Sequence, residues 1–216
     1  MEVTGDGANS SEVNNTQIYQ LELLQTTYPT LNLIADDNEA DEFDLSNTAL
    51  FAVNANAAAD DDITIPYTLS GTATAGLDFV ALAGSTTLSS GLSSSNISIS
   101  ALRDTLSEGA ETVTLTLTPS NDYAIQDASA TISINDLPTD QWKFENFGGT
   151  ESGSGDSEDF DNDGIPNLIE YAFSSDPTSA SSPVASSLTN NGDTLVLQFT
   201  EDLNLPDITY TVESSR

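Results

Sequence analysis

Between about residues 30 and 137, apolar side chains recur at every second position, the period of a strand with one buried face and one wet face. Phe51 and Val53; Ile63, Ile65, Tyr67 and Leu69; Ile97 and Ile99; Val113, Leu115 and Leu117; and Ile132 and Ile134 all alternate with Thr, Ser, Asn, Ala or Pro. The turn-rich stretches NANAAADDD, GTATAGLD and SSGLSSS separate these runs at spacings that suit an antiparallel sandwich rather than crossover helices. Pro66 lacks an amide hydrogen and pushes its strand towards a sheet edge or a bulge.

Composition narrows the chemistry. Three Lys plus Arg stand against 35 Asp plus Glu, a formal charge of −32. Such a surface repels nucleic-acid phosphates and anionic membranes, so neither is an expected partner. At 37% hydrophobic residues the chain still has enough apolar side chains for a core. It contains no Cys and no His, which removes disulfides, thiolate or imidazole metal sites, and Ser-His-Asp or Cys-His catalysis. Lys143 is the single amine side chain. No apolar run reaches the roughly 18 residues of a membrane span. The start, MEVTGDGANSSEVNN, lacks the basic and apolar regions of a secretory signal, while the end, ITYTVESSR, stops on an alternation of Ile208, Tyr210 and Val212. These termini read as those of a piece of a longer polypeptide.

The densest chemical signal is DFDNDGIPNLIE, Asp159 to Glu170. Counting Asp159 as the first position, carboxylates fall at one, three and five (Asp159, Asp161 and Asp163), Gly164 at six, the Ile165 carbonyl at seven, Asn167 at nine and Glu170 at twelve. This is the spacing of an EF-hand-type loop, in which alternate residues point at one centre and a glycine makes the sharp turn. A glutamate on the following helix then offers two oxygens. Hard oxygen ligands, about seven counting a water, suit calcium better than magnesium, which demands a stricter octahedron. The competing reading is an acidic, solvated linker. Pro166 at position eight removes an N–H that paired EF-hands use to join their loops, and no helix is expected to enter the loop, so a solitary structural site is expected.

Around this loop the chain divides into an ambiguous segment 1–29, possible remnant of a preceding module; a sandwich over 30–137; an acidic Gly/Ser-rich connector over 138–158; the loop with a short helix, NLIEYAF, over 159–177; and the opening of a truncated β-domain over 178–216, with strands at Leu195 to Phe199 and Ile208 to Val212. The connector's Trp142, Phe144 and Phe147 are expected to pack as ordinary core against a neighbouring domain. WKFENFG, DFDNDGIPNLIEYAFSSDP, TLVLQFT and ITYTVESS together resemble the thrombospondin type 3-like calcium segment and trailing β-domain near the C-termini of large secreted bacterial proteins. In that family the last domain continues further.

ITIPYTLSGTATAGLDFVAL (63–82), ISALRDTLSEGAETVTLTL (99–117) and ATISIND (130–136) resemble the ordered elements of a Calx-beta domain. The resemblance implies an immunoglobulin-like β-sandwich with calcium between loops at one end. Carried over by position, Asp78, Asp104, Glu108, Asn135 and Asp136 become ligands, with Glu42 a looser match. Arg103 and Asn135 stand where the family often has acids, and a guanidinium beside Asp104 offers an alternative neutraliser. The DDD at 60–62 reads as a loop-tip charge run.

The expected fold class is therefore all-β: an immunoglobulin-like antiparallel sandwich, a calcium-loop linker with one short helix, and a partial second β-domain. The expected function is a non-enzymatic, calcium-binding, structural or adhesive module of a secreted or surface protein, with calcium as its cofactor. Its expected partners are neighbouring domains of the same polypeptide and cell-surface or matrix components. The alternative is an accessory region of a secreted hydrolase. A glycosidase using two carboxylates within the chain is the third reading.

Overall fold

A computed structural model describes residues 28–149, 152–181, 186–190, 192, 195–200, 202 and 204–211. Residues 1–27, including IYQLELL, lie outside the described residues, as does Val212.

Nine short strands rich in Thr, Ser, Val and Ile form two facing sheets. They are β1 (Thr30–Asp37), β2 (Glu39–Asp41), β3 (Ala49–Ala55), β4 (Ile63–Gly71), β5 (Ser85–Leu88), β6 (Ser94–Ile99), β7 (Glu111–Leu117), β8 (Ala124–Asp127) and β9 (Ser129–Asn135). One sheet has the order β6-β3-β1-β8 and the other β2-β9-β7-β4-β5. The N-terminal strand serves both. β1 pairs with β3 and, in parallel, with β8; after a register shift between Ala35 and Asp37, β2 crosses to pair in parallel with β9.

Alternation decides what fills the middle. Leu31, Leu33, Phe51, Val53, Ile97 and Ile99 point inward from the first sheet, and Ile65, Tyr67, Val113, Leu115, Leu117, Ile132 and Ile134 from the second, all buried. A one-residue slip would turn any of these rows into solvent, so the apolar pattern fixes the register. Pro66 sits where β4 changes partner: residues Ile63 to Pro66 pair with β5 and Tyr67 to Gly71 pair with β7. The missing amide hydrogen falls at that switch, in keeping with the edge or bulge expected there.

Two helices follow the sandwich, where one was expected. The expected helix NLIEYAF is α2, Asn167–Phe173. The other, α1 (Pro138–Phe147), occupies much of the stretch read as a connector. Its stop and start signals are ordinary ones: Pro138 opens the first turn, and Gly148 closes the helix in the left-handed conformation with its N–H on the Phe144 carbonyl. The Asp207 carboxylate caps it from a distance by accepting the Thr139 amide at 2.9 Å. Of the aromatics expected to pack as core, Phe147 is buried, Trp142 half-buried and Phe144 exposed, and their partners are their own chain's loop and helix. Trp142 meets Tyr171 at 5.4 Å and Phe147 meets Phe160 at 4.8 Å between ring centroids.

At the C-terminal end β10 (Ser186–Asn190) and β11 (Leu195–Phe199) form a two-stranded antiparallel hairpin. The strand expected at Ile208 to Val212 is not formed over its described residues, which are irregular. Tyr210 is drawn to α2 instead. Its ring packs against Phe173 and Phe199, and its hydroxyl donates to the Ala172 carbonyl.

Phe51 is fully buried between the sheets. Phe51→Ala is expected to cost about 3–5 kcal/mol in urea unfolding, the range for emptying a large aromatic site. A change below about 1 kcal/mol would contradict the packing described.

Candidate metal centres

The sandwich end that precedes α1 gathers acids from every loop there. β2 leads into Glu42, β4 into the turn carrying Asp78, β6 into the segment carrying Asp104 and Glu108, β7 begins at Glu111, and β9 runs into Asp136. Phe79 is a buried core residue and holds the neighbouring Asp78 at the mouth of the sandwich. Carboxylate oxygens of Asp78, Glu108 and Glu111 lie within 4.8 Å of one another. Glu42 and Asp78 are only 5% and 4% exposed, unusual for acids without a positive partner.

The electrostatics record the crowding. Burial, and then the charges of Asp104, Asp136 and Asp78, push the Glu42 carboxyl up to about 7 against a hydrogen bond from the Asp104 amide. Glu111 also rises to about 7 through burial, its hydrogen bond with Asp78, and the charges of Asp78, Glu108 and Glu42. Glu108 is raised by burial and by Asp78, Asp104 and Asp136. Arg103 does not relieve this. Its Nε donates to the Glu42 carbonyl at 2.7 Å and its Nη2 to the Phe43 carbonyl, so the guanidinium serves the backbone. Among the described residues both side-chain salt bridges belong to Lys143, to Asp140 and Asp156.

Of the residues proposed from sequence, Glu42, Asp78, Asp104, Glu108 and Asp136 converge on this end. Asp136 has a scaffold role as well, because its Oδ2 accepts the amides of Glu108 and Gly109 at 3.1 Å each and its Oδ1 accepts that of Leu137 at 2.8 Å. Asn135 donates its Nδ2 to Asp41 Oδ1 at 3.0 Å, which ties its carboxamide to β2. Sequence reasoning did not place Glu111 in this cluster. It was visible as the second glutamate of DTLSEGAE, two positions before the apolar row of β7 begins. Asp60, Asp61 and Asp62 lie at the start of β4, the end remote from this cluster, where Asp62 accepts the Ser90 amide at 2.8 Å.

The second centre is the 159–170 loop. Oxygens of Asp159, Asp161 and Asp163 lie within 4.8 Å of one another. The loop bends through Asn162 and Gly164, at φ 61° and 96°, the latter in the left-handed region that only glycine enters freely. Backbone donors shape it: the Gly164 amide reaches Asp159 Oδ2 at 2.8 Å, the Asp163 amide reaches Asp159 Oδ1 and Asp161 Oδ1, and the Ile165 amide reaches Asp163 Oδ1 at 2.8 Å.

Glu170 is wholly buried on α2. Its Oε1 accepts a long 3.4 Å bond from Ser175, while its Oε2 is buried with no partner. Burial, then the charges of Asp161 and Asp163, raise it to about 7. Asp161 also has a buried, unpartnered oxygen, Oδ2. Asn167, expected as a ligand, instead holds the loop closed: its Nδ2 donates to the Gly153 and Gly155 carbonyls at 2.7 and 2.9 Å and its Oδ1 accepts the Phe160 amide at 3.2 Å. Ile165 occupies the expected backbone position next to Gly164.

Both clusters are donor sets of hard oxygens, and the orphaned oxygens of Glu170 and Asp161 suit a divalent cation.

Residues 35–138 match the family model of the Calx-beta domain, in keeping with the resemblance read from the sequence. Solved structures similar to the chain include the apo-form Calx CBD1 domain, at 21% identity and TM-score 0.42, covering 51% of this chain and 98% of that one. The Calx CBD2 domain aligns at 12% identity and TM-score 0.38, covering 55% and 94%. The calcium binding domain CBD12 of CALX1.1 aligns at 22% identity and TM-score 0.41 over 49% of this chain and 44% of that one, so the chain spans under half of that structure. A search of curated proteins finds no match.

Glu42, Glu111 and Glu170 are each raised from 4.5 to about 7. A carboxyl raised on folding costs nothing below its unfolded value and destabilises as pH climbs through the folded one. Calcium-depleted protein is therefore expected to lose melting temperature from about pH 4.5 to about 7 and then level off, and millimolar calcium to abolish much of that loss. Calorimetric scans across this window check it; a depleted protein whose melting temperature holds level or rises would contradict it.

Proposed function

We propose that this chain is a non-enzymatic, calcium-binding structural module with one cation centre at the acidic end of its β-sandwich and a second in the thrombospondin type 3-like loop. The observation that carries the reading is Glu170, a fully buried carboxylate with an unpartnered oxygen, acted on by the charges of Asp161, Asp163 and Asp159. A cation would satisfy such an atom and offset the neighbouring carboxylates together, without protonating it. Asp159, Asp161, Asp163 and Glu170 would hold the ion with the Ile165 carbonyl, and Asn167 would keep the loop closed around it. At the sandwich end Asp78, Glu108 and Glu111 would form the inner set, with Glu42, Asp104 and Asp136 beside them. The Calx-beta match over residues 35–138 supports placing a site there.

The ion supplies charge compensation and crosslinking, and the chain supplies geometry. The non-enzymatic reading draws support from Lys143, the single amine, which is engaged by Asp140 at 3.1 Å and Asp156 at 2.6 Å. Burial would depress its pKa, but the hydrogen bonds to Asp156 and Asp140 outweigh that and raise it, so it is a poor base. We place the module outside the cell, joined to neighbouring domains and facing cell-surface or matrix components. The strongly acidic surface and loops that need only about 10⁻⁴ to 10⁻³ M affinity suit an environment rich in calcium. No helix among the described residues is long and apolar enough to cross a membrane.

Calcium is expected to raise the melting temperature, and at about a hundredfold over Kd each site contributes about 2.7 kcal/mol. Glu170→Gln or Asp161→Asn should remove one ion from the calorimetric count, and Glu111→Gln should weaken a different one. Identical melting curves in chelator and in millimolar calcium would end the proposal.

A further inference from the structure

Both centres touch the same helix. α1 meets the sandwich cluster through Phe144, whose ring lies so close to Gly109 that a Cβ there would stand 2.6 Å from its Cδ1. Gly109 comes directly after Glu108 in the chain, and both amides are held by Asp136, two residues before the helix begins. Just past the helix, Gly149 presses on the Ser107 carbonyl, where a Cβ would come within 2.5 Å. The segment 107–109 is thus gripped by the helix and its C-terminal turn.

The other side of α1 meets the loop. Phe147 packs on Phe160, which lies between Asp159 and Asp161, and Trp142 packs on Tyr171, next to Glu170. Lys143 is the polar part of the same contact. It pairs with Asp140 on its own helix and with Asp156, in the turn whose Gly153 and Gly155 carbonyls receive the Asn167 amide. A cavity of about 290 Å³ between Glu108, Lys143 and Gly155 is lined from both sides. The three aromatic contacts of α1 therefore each fall one residue from a proposed ligand: Phe144 on Gly109 beside Glu108, Phe147 on Phe160 between Asp159 and Asp161, and Trp142 on Tyr171 beside Glu170.

We infer that α1 is a strut that couples the two calcium centres, so that loading either one strengthens the other. Resting on the function proposed above, this adds a property that two separate sites would not have. An ion in the loop fixes Phe160 and Tyr171, which fixes α1, which holds the 107–109 segment and Glu108 in its binding position. The sandwich site then loses less conformational entropy on binding. Coupling of this kind is reciprocal and acts on affinities.

The test is a double-mutant cycle on the full chain, read by calcium calorimetry. Asp161→Asn with Asp163→Asn silences the loop centre, and Phe147→Ala cuts the contact between strut and loop. Silencing the loop should weaken calcium binding at the remaining centre about fivefold or more, the lower end of typical coupling. In the Phe147→Ala background the same silencing should change it less than twofold. Amide exchange supplies a second reading: with the sandwich centre silenced by Glu111→Gln, calcium at the loop should still slow exchange at Glu108 and Gly109. Two ions that bind with affinities indifferent to each other, with exchange at Glu108 and Gly109 unmoved, would overturn the coupling and leave the binding function standing. Absence of any calcium binding would overturn both. Circular dichroism of Phe147→Ala distinguishes lost coupling from lost folding, and if that variant unfolds, Lys143→Met replaces it as the cut.

Discussion

Carboxylate repulsion is the constraint to which the rest of this molecule answers. With a formal charge of −32 and three cationic side chains in the whole sequence, the chain cannot neutralise its acids internally. On an exposed surface that matters little, because solvent and salt screen it. Here, however, Glu42, Asp78, Asp140 and Glu170 are all buried. Asp140 has Lys143. The other three face further acids, and the packing around each has to carry that cost at neutral pH. An apolar core with fully buried Phe51, Ile65, Leu115 and Ile132 can carry it; the loop, with a seven-residue helix behind it, has far less to draw on.

Legibility followed the range of the interactions. Strand register was readable because alternation is local and its penalty for slipping is large. The convergence of Asp159, Asp161 and Asp163 was readable for a similar reason: they are close in sequence, and Gly164 marks the turn. The sandwich centre was only partly readable. Its members come from residues 42 to 136 and are brought together by strand pairing, so Glu111 was passed over although it heads β7. Resemblance by position put Asn135 near this end, and its amide nitrogen is bonded to Asp41. Helix α1 was missed because the Trp, the two Phe and the glycines drew a connector reading, although Pro138 and Gly148 stand where helix start and stop signals belong. Asn167 shows the limit of a spacing argument. Position nine was occupied by the expected residue type, but its carboxamide is spent on three backbone groups.

The two centres differ in what an ion would have to organise. In the loop, the aspartates already accept backbone amides from Asp163, Gly164 and Ile165, so the turn is held by its own hydrogen bonds and an ion would have only the link to Glu170 to add. At the sandwich end the strands fix the Cα positions, but Glu108 is exposed on a segment joining β6 to β7 that contains no strand of its own. Its backbone is held by Asp136 and by α1. The loop centre is therefore locally built and the sandwich centre is assembled from afar, and the piece that completes the second is anchored on the first. On the coupling proposed above, such a chain would stiffen through α1: the short loop would set the helix, and the helix would set the Glu108 segment.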